Sequence, residues 1–198
     1  MRLGIFGGAF DPIHTGHIMV SQQVLQAELV DKVLIMPCYK SMFGKKMAAP
    51  AHRLAMVMLV ANQYEQIEPF DFEIKYRLHT DTYSIMRKIE EKLYKDDLYF
   101  IIGQDNANKM TFWGHSEQII NEIKFIVIPR SGYPSLSNPW YTKEPHVYLK
   151  DAEIKEPISS SLIRKYLKNK NRLIKPHHLD DNVYQYIEKF GLYTDRYR

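Results

Sequence analysis

A short apolar run, a pair of glycines and a His-x-x-His pair, all within the first seventeen residues, constrain this chain more than any other feature. Leu3-Gly4-Ile5-Phe6 reads as a buried first strand. Gly7-Gly8-Ala9-Phe10-Asp11-Pro12-Ile13-His14-Thr15-Gly16-His17 follows, and a helical stretch opens at Ile18-Met19-Val20. A strand, a glycine turn and a helix N-terminus in that order build an anion site, because unpaired backbone N–H groups and the positive end of the helix dipole converge there. Gly7 and Gly8 carry no Cβ, so a phosphate is expected to lie against the backbone at that point. His14 and His17, one helical turn apart, would aim two imidazoles at the same phosphate. A metal site is a poor reading of these histidines, since no third ligand stands nearby at a usual spacing.

The rest of the chain alternates strand-length apolar runs with longer helical stretches. Strands are expected at Arg2–Phe6, Lys32–Met36, Ile67–Phe72, Leu98–Ile102, Lys124–Ile128 and His146–Leu149. Helices are expected at His17–Leu29, Ala51–Gln63, Thr82–Leu93, Ser116–Asn121, Ser160–Lys168 and Asp180–Phe190. This alternation predicts an α/β fold: a Rossmann-like, doubly wound, mostly parallel sheet with helices on both faces. Ligands of such sheets bind beyond the carboxyl ends of the strands, near the switch in strand order. The 198 residues suit one domain spanning 1–198 with a full hydrophobic core. Ser131–Glu144, rich in proline, reads as an irregular loop within it. Val183, Tyr184, Ile187 and Phe190 form a stripe at helical spacing, stopped by Gly191.

The single cysteine, Cys38, excludes an internal disulfide framework and fits a reducing compartment. No apolar run approaches membrane-spanning length and no signal organisation opens the chain, so a soluble, cytoplasmic protein without membrane partners is expected. The net charge of +4 suits phosphorylated substrates but is too small to argue for nucleic acid, and no nucleic-acid motif appears. The basic run from Arg164 to Lys175 reads as a solvated helix face. Homo-oligomer formation is left open.

A second signal is Ile158-Ser159-Ser160-Ser161-Leu162-Ile163-Arg164. Serines ahead of an apolar helix are ordinary N-caps. Beside the first motif, the same stretch reads instead as a second phosphate-binding helix start, with the Ser160 and Ser161 hydroxyls and an Arg164 fork one turn inside.

The opening motif resembles the signature of the nucleotidylyltransferase superfamily: a glycine turn, Phe-Asp-Pro, then His-x-Gly-His. The serine stretch resembles the Ile-Ser-Ser-Thr-x-Ile-Arg motif of nicotinate and nicotinamide mononucleotide adenylyltransferases, with Ser161 in place of threonine. Three further matches follow in family order. Thr82-Tyr83-Ser84 resembles the segment that surrounds the pyridine ring. Gly103-Gln104-Asp105 resembles a Gly-x-Asp whose carboxylate accepts from a ribose, and Trp113 with the Gly114 amide stands where the family stacks a tryptophan on the pyridine. The family's Pro-Pro-His-Lys is absent after Met36-Pro37, so its lysine role falls to Lys45 or Lys46. Arg130-Ser131-Gly132 replaces Arg-Pro-Gly, and His52-Arg53 resembles a family pair, with Arg53 structural, catalytic or neither.

The resemblance implies attack of a mononucleotide phosphate on the α-phosphorus of ATP, with Mg²⁺ carried by the triphosphate. It places ATP against Gly7, Gly8, Ala9, Phe10, His14, His17, Asp105, Arg130, Ser160, Ser161 and Arg164. The pyridine nucleotide falls to Gly8, Thr82, Tyr83, Ser84, Gly103, Asp105, Trp113 and Gly114. His14, His17, Lys45 and Arg164 are the expected catalytic groups, with no protein metal ligand. Nicotinate mononucleotide is the favoured acceptor and deamido-NAD the product, because Ser84 and nearby amides offer donors and no acidic residue lies within Thr82–Ser84 or Trp113–Gly114. The alternatives are a nicotinamide mononucleotide or dual-specificity enzyme, and a nucleotide-binding sensor or scaffold without chemistry.

Overall fold

The structure, a computed structural model, describes residues 1–42, 44–130, 132–133, 136–152, 158–168 and 176–194. Six strands form one sheet: β1 (Arg2–Gly8), β2 (Lys32–Pro37), β3 (Ile67–Pro69), β4 (Asp97–Gly103), β5 (Lys124–Ile128) and β6 (Val147–Tyr148). Every pairing is parallel and the order is β3-β2-β1-β4-β5-β6. The direction of winding reverses between β1 and β4, which pair from Arg2↔Asp97 to Phe6↔Ile101. Their carboxyl ends, Gly7–Gly8 and Gly103, therefore open the crevice where such sheets take ligands.

Both faces of the sheet are covered, and period-two alternation sorts the strand residues between them. Val33, Ile35, Ile101, Ile126 and Ile128 pack toward helices α1 (Thr15–Gln26), α2 (Pro50–Ala61), α7 (Ser160–Lys168) and α8 (Asp181–Phe190). Leu34, Met36, Leu98, Phe100, Ile102, Phe125 and Val127 pack on the other face with Ile85, Met86 and Ile89 of α4 (Thr82–Lys92) and Ile119 of α6 (Ser116–Glu122). Helix ends follow local chemistry. Pro50 opens α2, Asp81 caps α4 through the Ser84 amide, Asp180 caps α8 through the Asn182 and Val183 amides, and Gly191 closes α8 at φ 62°.

The expected helices and strands are present, with three informative differences. The strand expected over Ile67–Phe72 stops at Pro69: the Phe70 amide still reaches Ile35 O, and then Phe72 opens a one-turn helix, α3 (Phe72–Lys75), that buries Phe72 and Glu73. A second short helix, α5 (Gln104–Ala107), follows β4 directly with Gly103 as its N-cap. The proline-rich loop is less open than expected, since it includes the 3-10 turn Trp140–Thr142, whose Tyr141 is fully buried. Ser131 and much of the basic stretch after Lys168 lie outside the described residues.

Candidate active site

The turn after β1 is held by its own buried aromatic. Phe10 adopts a left-handed φ of 46° and is almost wholly buried, with its ring edge-on to Phe6 and to His17. A Cβ on Gly7 would come 2.7 Å from the Phe100 ring, and one on Gly8 3.1 Å from the Phe10 ring. The missing side chains thus make room for aromatic packing around this turn. Gly16 has a similar task, because a Cβ there would meet His14 Nδ1 at 3.1 Å.

Helix α1 begins two residues earlier than the sequence suggests, with His14 as N-cap and His17 as its third residue. The His14 amide donates to His17 Nδ1 at 3.2 Å. That bond makes Nδ1 an acceptor, so a neutral His17 carries its proton on Nε2. The two imidazoles stack with centroids 3.7 Å apart. Burial, aided by the charges of His178 and Arg130, holds the His14 imidazole down at about 4. Burial, followed by His14 and Arg130, also holds His17 well below the ordinary histidine range. Two stacked, desolvated rings beside an arginine do not both accept protons, so this end presents neutral donors at pH 7. Two amides of the first helical turn are already spent, Thr15 on His178 O and His17 on His14 O. Recognition here falls to the imidazoles more than to the helix end.

Asp11 ties three distant segments to this turn. Its carboxylate, 1% exposed, accepts from the Tyr193 hydroxyl at 2.8 Å and the Ala48 amide at 3.1 Å. The Arg164 guanidinium donates to Asp11 O at 2.6 Å and stands 3.6 Å from Asp11 Oδ2. Arg164 also donates to Ser161 Oγ. The serines divide their work: Ser159 Oγ caps α7 through the Leu162 amide, while Ser160 donates to Pro12 O at 2.9 Å. The plain cap is therefore present at Ser159, while Ser160 and Arg164 tie the start of α7 to the turn after β1.

Across the crevice, Asp105 pairs with Arg130 at 2.7 Å through Oδ2. A Cβ on Gly103 would lie 2.6 Å from Asp105 Oδ1, so glycine is required for that carboxylate to fold back over the strand end. Gln104 is buried and accepts from the Arg130 amide and the Tyr148 hydroxyl. Among the described residues, His14 Nδ1 and Asp105 Oδ1, which follow β1 and β4, are buried without a hydrogen-bond partner, and Asp11 Oδ2 has only the Arg164 guanidinium at 3.6 Å. Buried polar atoms left unpaired beyond the carboxyl ends of neighbouring strands suit a polar ligand.

The segments expected around a pyridine also meet. Tyr83 stacks on His115 with centroids 5.4 Å apart, and a Cβ on Gly114 would lie 3.7 Å from the Asp81 Cβ. Trp113 is partly buried against the core on that face of the sheet. Asp81 changes the expected chemistry, because it accepts from both the Ser84 amide and the Ser84 hydroxyl, and His115 Nδ1 stands 3.4 Å away. Ser84 has thus committed its hydroxyl proton to Asp81, which leaves its oxygen as an acceptor. The signal for this was legible as Asp-x-x-Ser, an N-cap pattern one residue before the matched segment. His178, by contrast, had no local signal. Lys45 and Lys46 are both exposed on the loop between β2 and α2. Arg53 is wholly buried and donates to main-chain oxygens of three chain segments. Thr82 opens α4, and Ala9 lends its carbonyl to Arg53.

A parallel sheet of this order, with histidines, arginines and carboxylates at its switch point, defines a nucleotide-binding α/β protein of the Rossmann-like kind. More narrowly, the chain belongs to the cytidylyltransferase-like family, whose model matches residues 5–166. It is 34% identical to a "probable nicotinate-nucleotide adenylyltransferase" of Methylacidiphilum infernorum, over 97% of this chain and 92% of that one. A protein of the same printed name from Streptococcus mutans is 35% identical over 97% of this chain and 88% of its own. Among solved structures, the chain is similar to Plasmodium falciparum nicotinic acid mononucleotide adenylyltransferase complexed with NaAD, at a TM-score of 0.81 and 25% identity over 97% of each chain.

Proposed function

We propose that this protein transfers the adenylyl group of ATP to nicotinate mononucleotide, forming deamido-NAD and pyrophosphate in NAD biosynthesis, with residues 1–198 acting as one nucleotidylyltransferase domain. The relatives' printed names and the NaAD complex of the similar structure carry this reading, and the stacked His14 and His17 imidazoles with the Arg164 guanidinium beyond the end of β1 fit it. A phosphate oxygen of the mononucleotide forms the new bond to the α-phosphorus, and the bond to the β-phosphate oxygen breaks with its electron pair leaving on pyrophosphate. The attacking oxygen is ionised at neutral pH, so positioning and charge stabilisation carry the catalysis.

His17 offers Nε2–H to charge developing on the α-phosphate, and His14 backs it through the shared stack. An arriving triphosphate supplies negative charge that raises both imidazole pKa values from their depressed state. Arg164, held by Asp11, serves the β and γ phosphates with Ser160 and Ser161, and Lys45 or Lys46 covers the leaving group. Asp105 takes a ribose hydroxyl on Oδ1. Mg²⁺ is assigned to the substrate, as MgATP, in keeping with the nucleotidylyltransferase resemblance.

One observation favours a second reading. With its proton on Asp81, Ser84 suits an amide NH₂, which would welcome nicotinamide mononucleotide. Against it, the first-turn amides of α4 at Thr82 and Tyr83 have no acceptor inside the helix and suit a carboxylate. The expected result is higher kcat/KM with nicotinate mononucleotide, with Ser84→Ala altering that preference by less than about threefold, since a donor already spent discriminates little. Equal or reversed kcat/KM for the two acceptors, measured by pyrophosphate release, would overturn the nicotinate assignment.

A further inference from the structure

Arg53 is a buried cation with no assigned chemistry, and its partners are distributed in a telling way. Nε donates to Ala48 O at 2.9 Å, Nη1 to Ala9 O at 2.8 Å, and Nη2 to Cys38 O at 2.6 Å and Tyr39 O at 3.1 Å. Ala9 belongs to the turn after β1. Cys38 and Tyr39 leave the end of β2, and Ala48 stands just before α2. One rigid fork therefore joins the turn that carries the histidine motif to both ends of the segment bearing Lys45 and Lys46. Two carboxylates reinforce the junction: Glu73 accepts the Tyr39 amide at 3.1 Å, and Asp11 accepts the Ala48 amide at 3.1 Å. The Cys38–Tyr39 peptide is held from both sides, its Cys38 oxygen by Arg53 and its Tyr39 N–H by Glu73.

We propose that Arg53 is a positioning residue of adenylyl transfer, setting the segment with Lys45 and Lys46 in register with the turn that faces the triphosphate. A guanidinium suits the task because its planar donors reach four carbonyls on three chain segments at fixed angles, which an ammonium cannot. If its purpose were only to pack α2, an apolar side chain would serve without the cost of burying a charge. Its hydrogen bonds run instead to the main chain around the site. Small misplacement of charged groups around a transferring phosphoryl group is enough to slow the reaction substantially. This role rests on the adenylyltransferase reading above.

The test is Arg53→Lys in the full chain, with Lys45→Ala/Lys46→Ala made in both backgrounds and kinetics measured well below the melting temperature. The expected result is a loss of about tenfold or more in kcat with a raised KM for ATP, while KM for the mononucleotide stays within about twofold. The lysine substitutions, costly in the parent, should then add little in Arg53→Lys, because residues acting through one another are not additive. A variant that only melts earlier, with both KM values and kcat per folded molecule unchanged, would overturn the proposal. Losses that simply multiply would overturn it too. Should Arg53→Lys not fold, Glu73→Ala releases the same Cys38–Tyr39 peptide and must show the same ATP-selective loss, at about threefold, for the proposal to stand. A parent without adenylyl transfer would refute the functional reading alone. ATP affinity of Arg53→Lys by calorimetry would still decide the positioning role.

Discussion

Glu73 offers the cleanest quantitative test of the packing around this junction. The residue lies on the one-turn helix α3 with 7% of its surface exposed, and burial pushes its carboxyl up to about 7 from an ordinary 4.5, against the opposing pulls of the Tyr39 amide and Arg53. Between those two values the folded protein holds a proton that the unfolded chain has released. Stability from this group is therefore fully present below pH 4.5, declines as pH rises toward 7, and is flat above. A shift of that size corresponds to roughly 3 kcal/mol at 1.36 kcal/mol per unit, which is about 6–12 °C of melting temperature for a chain this long.

Glu73→Gln keeps an oxygen for the Tyr39 amide but cannot ionise. The expected outcome is a variant that loses this decline and gains stability relative to the parent as pH rises from 5 to 8. The assay is urea unfolding of both proteins at half-unit pH steps. Histidines that titrate in the same window cancel in the difference between the two curves. A difference that stays flat within about 0.5 kcal/mol across that range would refute the claim that burial dominates at Glu73.

His17→Ala is expected to lower kcat by about a hundredfold or more with the fold retained, since a donor to transition-state charge is lost. Unchanged kcat beside an intact circular dichroism spectrum would remove His17 from the mechanism. Arg164→Lys keeps charge but loses the fork onto Asp11 and Ser161, so KM for ATP should rise several-fold. A parent-like KM and kcat would reduce the serine stretch to a helix cap.

The elements of the fold were legible in the sequence because what specifies them acts over a few residues. Apolar period along Leu98–Ile102 and Lys124–Ile128 announced strands buried on both faces, and the Ser160–Lys168 helix matched its expected span. The strand that stopped at Pro69 was misjudged because Phe70 and Phe72 are apolar in either state, and burial on α3 decided between them. The site motifs were equally local, being contiguous runs after β1, after β4 and at the start of α7. Their internal wiring was not. Asp11 accepts from Tyr193, 182 positions away, and Arg164 reaches Asp11 O across 153 positions.

The sequence by itself determined the alternation of elements, the contiguous glycine-histidine and serine-arginine motifs and the residues that cap the helices, because periodicity and capping depend on neighbours within about one turn. Only the tertiary structure decided the protonation state of the stacked histidines, the spent proton of Ser84 and the clasp built on Arg53. Each of these follows from burial and from partners supplied by other elements. A side chain's charge and donor capacity depend on how much water it loses and what replaces it, and packing alone sets both.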